Sequence, residues 1–407
     1  MIIPGIFDEL TERGYFEQAS HPEELKECLD KERVTFYCGF DATADSLTLG
    51  HFVQLMVMKR MQNHGHRPIA LLGGGTTMIG DPSARNDMRK VMGVDTIDEF
   101  ALRFKKQFER FLDFGEDKAI MENNADWLRQ LNYLNFMREY GVHFSVNRML
   151  AMDSYKNRLE TGLTFFEFGY LLLQSYDFLE LNRRYNCKLQ IGGSDQWSNI
   201  IGGMELIRKT EQKQAYAMTF KLLTTADGKK MGKSQKGAVW LDEEKTTPYE
   251  MFQYMRNIDD RDVEKFLLQL TFLPTEECKR LGSFTDERIN EGKEILAYEV
   301  VKTIHGESKA KEALETSRAL FAQKNSIDSM PTEEIDFKGN MGLLNLLRET
   351  GLTASNAEAR RLVEQGGITV NDEKITDPGY TFTEENFKEG FIILRKGKKI
   401  FRKIVKK

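Results

Sequence analysis

What most constrains this chain is an alternation. Over roughly its first 220 residues, short apolar runs of strand character give way repeatedly to segments with helical spacing of apolar residues. Val34–Phe40 (VTFYCGF) reads as a buried strand, Pro68–Leu72 (PIALL) as a second, and Lys118–Glu122 and Lys188–Ile191 as two more. Between them lie helical patterns from Gly50 to His64, Ile97–Phe114, Trp127–Tyr140 and Phe166–Arg183. Ile97–Phe114 is the clearest, with Phe100, Phe104, Phe108 and Phe111 on one side. Strands separated by helices pair parallel, and the helices cover the sheet faces. The expected fold class is therefore α/β with a parallel sheet.

The alternation stops near Lys230–Ser234, a Gly- and Lys-rich loop. From Pro248 to about Phe321 the pattern is helical with few strand signals. Asn325–Lys338 is polar, contains Pro331 and lacks periodicity, so it reads as a linker. At 407 residues the chain is too long for one typical core. The expected division is 1–222 for the sheet domain, 223–324 for the lysine loop and helical domain, 325–340 for the linker and 341–407 for a last domain.

Charge sets that last domain apart. From Met341 onward there are 13 basic and 9 acidic residues, giving +4; the whole chain carries -5, so the rest carries -9. Gly390–Lys407 holds eight Lys or Arg and no Asp or Glu. Basic residues there interleave with apolar ones, as in strands. This pattern points to a folded surface that touches a polyanion, although a solvated charge run would look similar. Other classes are disfavoured. The cysteines (Cys28, Cys38, Cys187, Cys278) are scattered without a CxxC, and the six histidines show no HExxH, so neither a disulfide framework nor zinc is expected. No stretch approaches the roughly 20 apolar residues of a membrane span, and the start has acidic residues where a signal peptide would be basic. A cytoplasmic protein with no membrane partner is the expectation.

Five constellations carry possible chemistry. Thr48-Leu49-Gly50-His51 opens the helix after the first predicted strand, where free backbone N–H groups and the helix dipole suit an anion. His51 can serve a nucleotide there, or be satisfied by local backbone. Lys230-Met231-Gly232-Lys233-Ser234 places two lysines around a glycine and can clamp a pyrophosphate, or be a solvated turn. Tyr170, Gln174 and Asp177 fall at i, i+4 and i+7 on one helical face. They can line a polar pocket that binds a ligand hydroxyl or amine, or form the wet face of an amphipathic helix. Gln190–Trp197 (QIGGSDQW) has a glycine turn followed by Asp195, which can take ribose hydroxyls or cap a helix. Gly73–Asp81 (GGGTTMIGD) leads to Arg85 and Arg89; it is not GxGxxG, so a dinucleotide site is rejected.

Taken together, these segments resemble the bacterial tyrosyl-tRNA synthetases, a family of class I aminoacyl-tRNA synthetases, essentially from end to end. Tyr37–Leu47 (YCGFDATADSL) resembles the family's signature strand and loop. Thr48–His51 stands in the place of its HIGH motif, Lys230–Ser234 in that of KMSKS, and Gly192–Trp197 (GGSDQW) is a further hallmark. The last domain is similar to a small α+β RNA-binding domain shared with a ribosomal protein. The resemblance implies a Rossmann-like catalytic domain, a helical domain and the RNA-binding domain. It implies activation of L-tyrosine by ATP, then transfer to tRNA(Tyr). ATP is a substrate accompanied by Mg2+, no metal is held by the protein, and the assembly is a homodimer. It carries over roles at matching positions. Tyr37 and Asp177 hold the substrate phenol. Asp81, Tyr170 and Gln174 hold its amino group, Gln196 lies near its carboxylate and Gln190 supports the pocket. Gly39, Asp41, Gly50, His51, Gly192 and Asp195 surround ATP or the adenylate. Thr43, Lys230 and Lys233 stabilise pyrophosphate, joined by Arg85 and Arg89.

Two positions depart from the family motifs. Thr48 replaces the first histidine of HIGH; its hydroxyl reaches less far and is never cationic. Gly232 removes a hydroxyl from KMSKS but leaves both lysines. The rival readings are a tryptophan-specific synthetase, another nucleotidyltransferase, and a non-catalytic RNA-binding or splicing relative of the same fold.

Overall fold

The computed structural model describes the chain except residues 1, 84–91, 161, 235–236, 323–329, 338, 372, 388–389 and 398–399. Six strands build the main sheet: β1 (Phe16–Ala19), β2 (Thr35–Phe40), β3 (Arg67–Leu72), β4 (Ile120–Asn123), β5 (Cys187–Gly193) and β6 (Tyr216–Phe220). Their spatial order is β1-β6-β5-β2-β3-β4. All neighbours are parallel except β1, which pairs antiparallel with β6 at one edge. The chain runs outward from β2 through β3 to β4, then returns to lay β5 on the other side of β2. This reversal opens a crevice beyond the carboxyl ends of β2 and β5, the usual ligand position in such sheets.

Helix Leu49–Asn63 follows β2, Val94–Phe111 follows β3, and Trp197–Thr210 follows β5. The Phe stripe works as its spacing predicts: Phe104 and Phe108 are buried, and Phe108 packs its ring 4.8 Å from Phe40 of β2. Two helical expectations are corrected. Trp127–Tyr140 is two short helices, Ala125–Leu128 and Tyr133–Glu139, because Asn132 caps the second by accepting from Asn135 N–H. Phe166–Arg183 divides at Gly169 into Phe165–Phe168 and Tyr170–Tyr185. The apolar spacing crosses both breaks, so periodicity could not show them.

Beyond the sheet, helices Pro248–Arg256, Val263–Leu270, Thr275–Gly282, Ile289–His305 and Glu307–Ala322 share one continuous hydrophobic core with it. The C-terminal part has its own core, built from residues between Ile335 and Ile404. Its sheet runs Glu373–Ile375, Ile368–Val370, Phe391–Lys396, Ile400–Lys406, Thr332–Ile335. The last of these lies within the stretch expected to be a linker. It pairs parallel with Ile400–Lys406, so that stretch is in part a strand of the C-terminal sheet. Its alternation TEEI is too short and too charged to stand out. Buried Arg402 ties this part to the helices by donating to Glu250 at 3.1 Å, and within its own sheet it donates to Glu333 at 3.0 Å. All four cysteines are free and buried. No described helix is long and apolar enough to cross a membrane.

Candidate active site

The crevice at the β2/β5 reversal is a cavity of about 160 Å³. It brings together Tyr37, Gly39, Asp41, Thr43, His51, Asp81, Tyr170, Gln174, Asp177, Gln190, Gly192, Asp195 and Gln196, from segments far apart in sequence. The backbone explains their convergence. Tyr37 and Gly39 alternate along β2, Gln190 and Gly192 along β5, and Tyr170, Gln174 and Asp177 form one stripe of helix Tyr170–Tyr185. That stripe faces inward, which settles the choice left open by its spacing: Asp177 and Tyr170 are buried.

At the closed end, the Asp177 carboxylate accepts from Asn124 Nδ2 and from Trp127 Nε1, each at 2.8 Å. Burial pushes Asp177 up to about 8, against the pull of those two donors. Tyr37 is buried beside it with its ring 5.3 Å from Phe178, and burial together with the Asp177 charge holds its phenol well above the usual range. The Tyr37 hydroxyl, Gln174 Oε1 and Gln190 Oε1 are buried atoms without a hydrogen-bond partner among the described residues. Three orphaned polar atoms around one cavity mark a place where a polar ligand completes the bonding.

Further out, Tyr170 donates to Asp41 Oδ2 at 3.1 Å and Thr76 to Asp41 Oδ1 at 2.8 Å. Gly73 permits this approach, since a Cβ there would lie 2.3 Å from Asp41 Oδ1. Gln196 Nε2 donates to Asp81 Oδ2 at 2.7 Å. Asp195 does not cap helix Trp197–Thr210, which begins without a side-chain cap. Burial and the charge of Asp81 raise the Asp195 carboxyl, and Lys230 pulls it back.

Thr48 is the N-cap of helix Leu49–Asn63, outside the cavity lining, as is exposed Gly50. The Thr48 N–H donates to His51 Nδ1 at 3.0 Å, which fixes that nitrogen as an acceptor and the proton on Nε2. The histidine thus makes its local backbone bond and also lines the cavity. Leu49 N–H donates to the Val239 carbonyl and Leu241 N–H to the Leu47 carbonyl, both at 2.9 Å, so the segment after the lysine loop is laced to this helix start. Lys230 is exposed on that loop, and Lys233 begins the two-residue strand Lys233–Ser234. Arg85 and Arg89 lie outside the described residues.

Sequence reasoning missed Asn124, Trp127 and Thr76. Their one signal was position: Asn124 and Trp127 directly follow β4, at the carboxyl edge of the sheet where ligands gather.

Residues 29–322 match the family model of tRNA synthetases class I (W and Y), and residues 322–404 match the tyrosine--tRNA ligase SYY-like C-terminal domain. The chain is 56% identical over 403 residues to the tyrosine--tRNA ligase of Clostridium kluyveri, covering 98% of this chain and 99% of that one. It is 56% identical over 404 residues to the tyrosine--tRNA ligase of Fusobacterium nucleatum, covering 99% and 98%. Among solved structures, a C-terminally truncated mitochondrial tyrosyl-tRNA synthetase of Aspergillus nidulans superposes with a TM-score of 0.70 at 28% identity, over 78% of this chain and 94% of that one. The chain belongs to the class I tRNA synthetases of the tryptophan and tyrosine group. Within that group its likeness over nearly its full length is to the tyrosine–tRNA ligases, and its activity is that of a tyrosine–tRNA ligase with ATP as substrate. A match of this extent does not favour the non-catalytic reading.

Proposed function

We propose that the closed end of the cavity takes the side chain of L-tyrosine, with Asp177 and Tyr37 bonding its phenol. The observation that carries this assignment is the unpartnered Tyr37 hydroxyl beside an Asp177 carboxylate already held by two donors. A bare phenyl ring would leave the Tyr37 hydroxyl unpaired and give the Asp177 carboxylate no third donor. Such sites discriminate by roughly 10⁴–10⁵, a magnitude known for tyrosine-specific synthetases themselves rather than one obtained from this chain. Asp81, Tyr170 and Gln174 bind the ammonium group, Gln196 faces the carboxylate, and Gln190 supports the pocket. ATP lies against Gly39, Asp41, Gly50, His51, Gly192 and Asp195.

In the first step the tyrosine carboxylate attacks the α-phosphorus of ATP, and the bond to pyrophosphate breaks. The carboxylate is ionised at neutral pH and needs no base. Catalysis comes from alignment, from the cations Lys230, Lys233, Arg85 and Arg89 on the departing group, and from hydroxyl donors at Thr43 and Thr48. In the second step the terminal adenosine of tRNA(Tyr) takes the tyrosyl group and AMP leaves. Among the described residues no group of three or more His, Cys, Asp or Glu is placed to hold a metal ion. A magnesium ion would accompany ATP as part of that substrate and share the charge of the departing pyrophosphate.

The functional divisions proposed are 1–222 for activation, 223–324 for the lysine loop and helices, and 341–407 for RNA, with 325–340 joining them and lending the strand Thr332–Ile335 to the last sheet. Support for the last is its separate core and its basic C-terminal strands. The working unit is a homodimer in the cytoplasm. Exposed Leu134, Val142 and Phe165, at 73%, 70% and 72%, support a surface covered by a second copy. The assay that tests the reading is ATP–pyrophosphate exchange dependent on tyrosine, with tryptophan and phenylalanine as controls. Exchange driven equally by all three amino acids would refute the pocket assignment.

A further inference from the structure

Gly232 is the point where the lysine loop reverses. Its φ is +91°, a left-handed conformation that side chains rarely adopt, and a Cβ there would sit 3.5 Å from the Gly50 nitrogen and from Leu49 Cβ. Both of its backbone groups are bonded. The carbonyl accepts from Val239 N–H at 2.8 Å, and the N–H donates to the Tyr254 hydroxyl at 3.0 Å. Just before it, Met231 is buried and its N–H donates to the Leu223 carbonyl at 2.9 Å. Lys230 and Lys233 flank this pinned pair.

Tyr254 does not belong to the loop. It stands on helix Pro248–Arg256, which opens with a Thr247/Glu250 capping box and packs on helices Ile289–His305 and Glu307–Ala322. Its neighbours Met251, Phe252 and Met255 are fully buried. A well-packed helix therefore offers one oxygen to the amide at the turn.

We infer that Tyr254 is a positioning residue for the first step: its phenol oxygen holds the Gly232 amide and so sets the reach of the two loop lysines toward the pyrophosphate. This rests on the reading of those lysines as the pyrophosphate clamp. Without the acceptor, the turn samples poses in which the lysine charges fall short of the departing group.

Tyr254→Phe keeps the ring and removes only the acceptor. It should slow tyrosine-dependent ATP–pyrophosphate exchange by roughly 3- to 10-fold, the weight of one ordinary hydrogen bond. The KM for pyrophosphate in the reverse direction should rise, and the Kd for tyrosine should stay unchanged. If the residue acts through the clamp, adding Lys233→Ala should cost less than the product of the two single losses. Unchanged exchange, a matching loss of tyrosine affinity, or fully multiplicative losses would each overturn the inference. Lys233→Ala alone separates the two claims. If it leaves exchange intact, the lysine reading itself has failed; if it slows exchange and Tyr254→Phe does not, the latch has failed.

Discussion

At Asp177 the fold sets two demands against each other. The carboxylate is buried, which favours its neutral form, yet Asn124 and Trp127 both aim donors at it, which favours the charged one. Burial prevails, and the group titrates at about 8 instead of 3.8. A carboxyl raised on folding contributes its stability at low pH and loses it as pH climbs through the folded value. The ligand-free enzyme should therefore lose thermal stability relative to Asp177→Asn between about pH 4 and 8. In the proposed pocket a substrate phenol is a third donor, and a charged carboxylate is the stronger acceptor for it. Tyrosine should thus bind more tightly as pH rises through about 8, and Asp177→Asn should bind weakly with no such slope. Equilibrium dialysis at several pH values checks this, and a flat wild-type profile would contradict it. The Asp177 stripe was legible because helical spacing is a local property. Asn124 and Trp127 were not, because their meaning arises only where β4 ends beside a helix some fifty positions later.

Among elements, the pocket depends on how closely two helices meet. Helix Trp197–Thr210 carries Gly202 and Gly203 against helix Tyr170–Tyr185, where a Cβ on Gly203 would lie 2.9 Å from Phe178 Cβ. Phe178 follows Asp177 directly and packs on Tyr37. Gly203→Ala should overpack this contact and lower stability by about 1–3 kcal/mol, seen as a lower thermal midpoint. Because it pushes the stripe that lines the cavity, the KM for tyrosine should rise more than that for ATP. An equal change in both would place the strain elsewhere. The alternation of strands and helices was readable from the sequence, since burial on both faces leaves nearly continuous apolar runs. Strand β1 was not. FEQA is short and half polar because it is an edge strand, and its antiparallel pairing with β6 depends on chain from the far end of the domain.

Over the whole molecule, the charge division coincides with a division of cores. The C-terminal part buries its own apolar residues, so removing Pro331–Lys407 should leave the rest folded. Pyrophosphate exchange should survive that truncation while tRNA charging falls by more than tenfold, as fits a module that supplies phosphate contacts. Undiminished charging would remove the basic sheet from the RNA interface. The most exposed large apolar side chains, Leu134, Val142 and Phe165, lie instead within the part that carries the main sheet. In the proposed homodimer, Leu134→Asp combined with Phe165→Asp should halve the sedimenting mass, and an unaltered mass would count against this surface as the contact between copies. The basic tail was visible in the sequence as a run of charge, whereas the exposed apolar residues were not. Nothing in Leu134 or Phe165 themselves distinguishes a surface position from a core one. The lacing of Leu49 to Val239 and of Leu47 to Leu241 has a further consequence, for biosynthesis. When the second strand and its following helix first leave the ribosome, the backbone that will close the helix start has not yet been translated. The helix-start side of the crevice is therefore finished late, by chain made after the whole sheet, and a nascent fragment ending short of Val239 would own the walls around Asp177 but not the completed mouth.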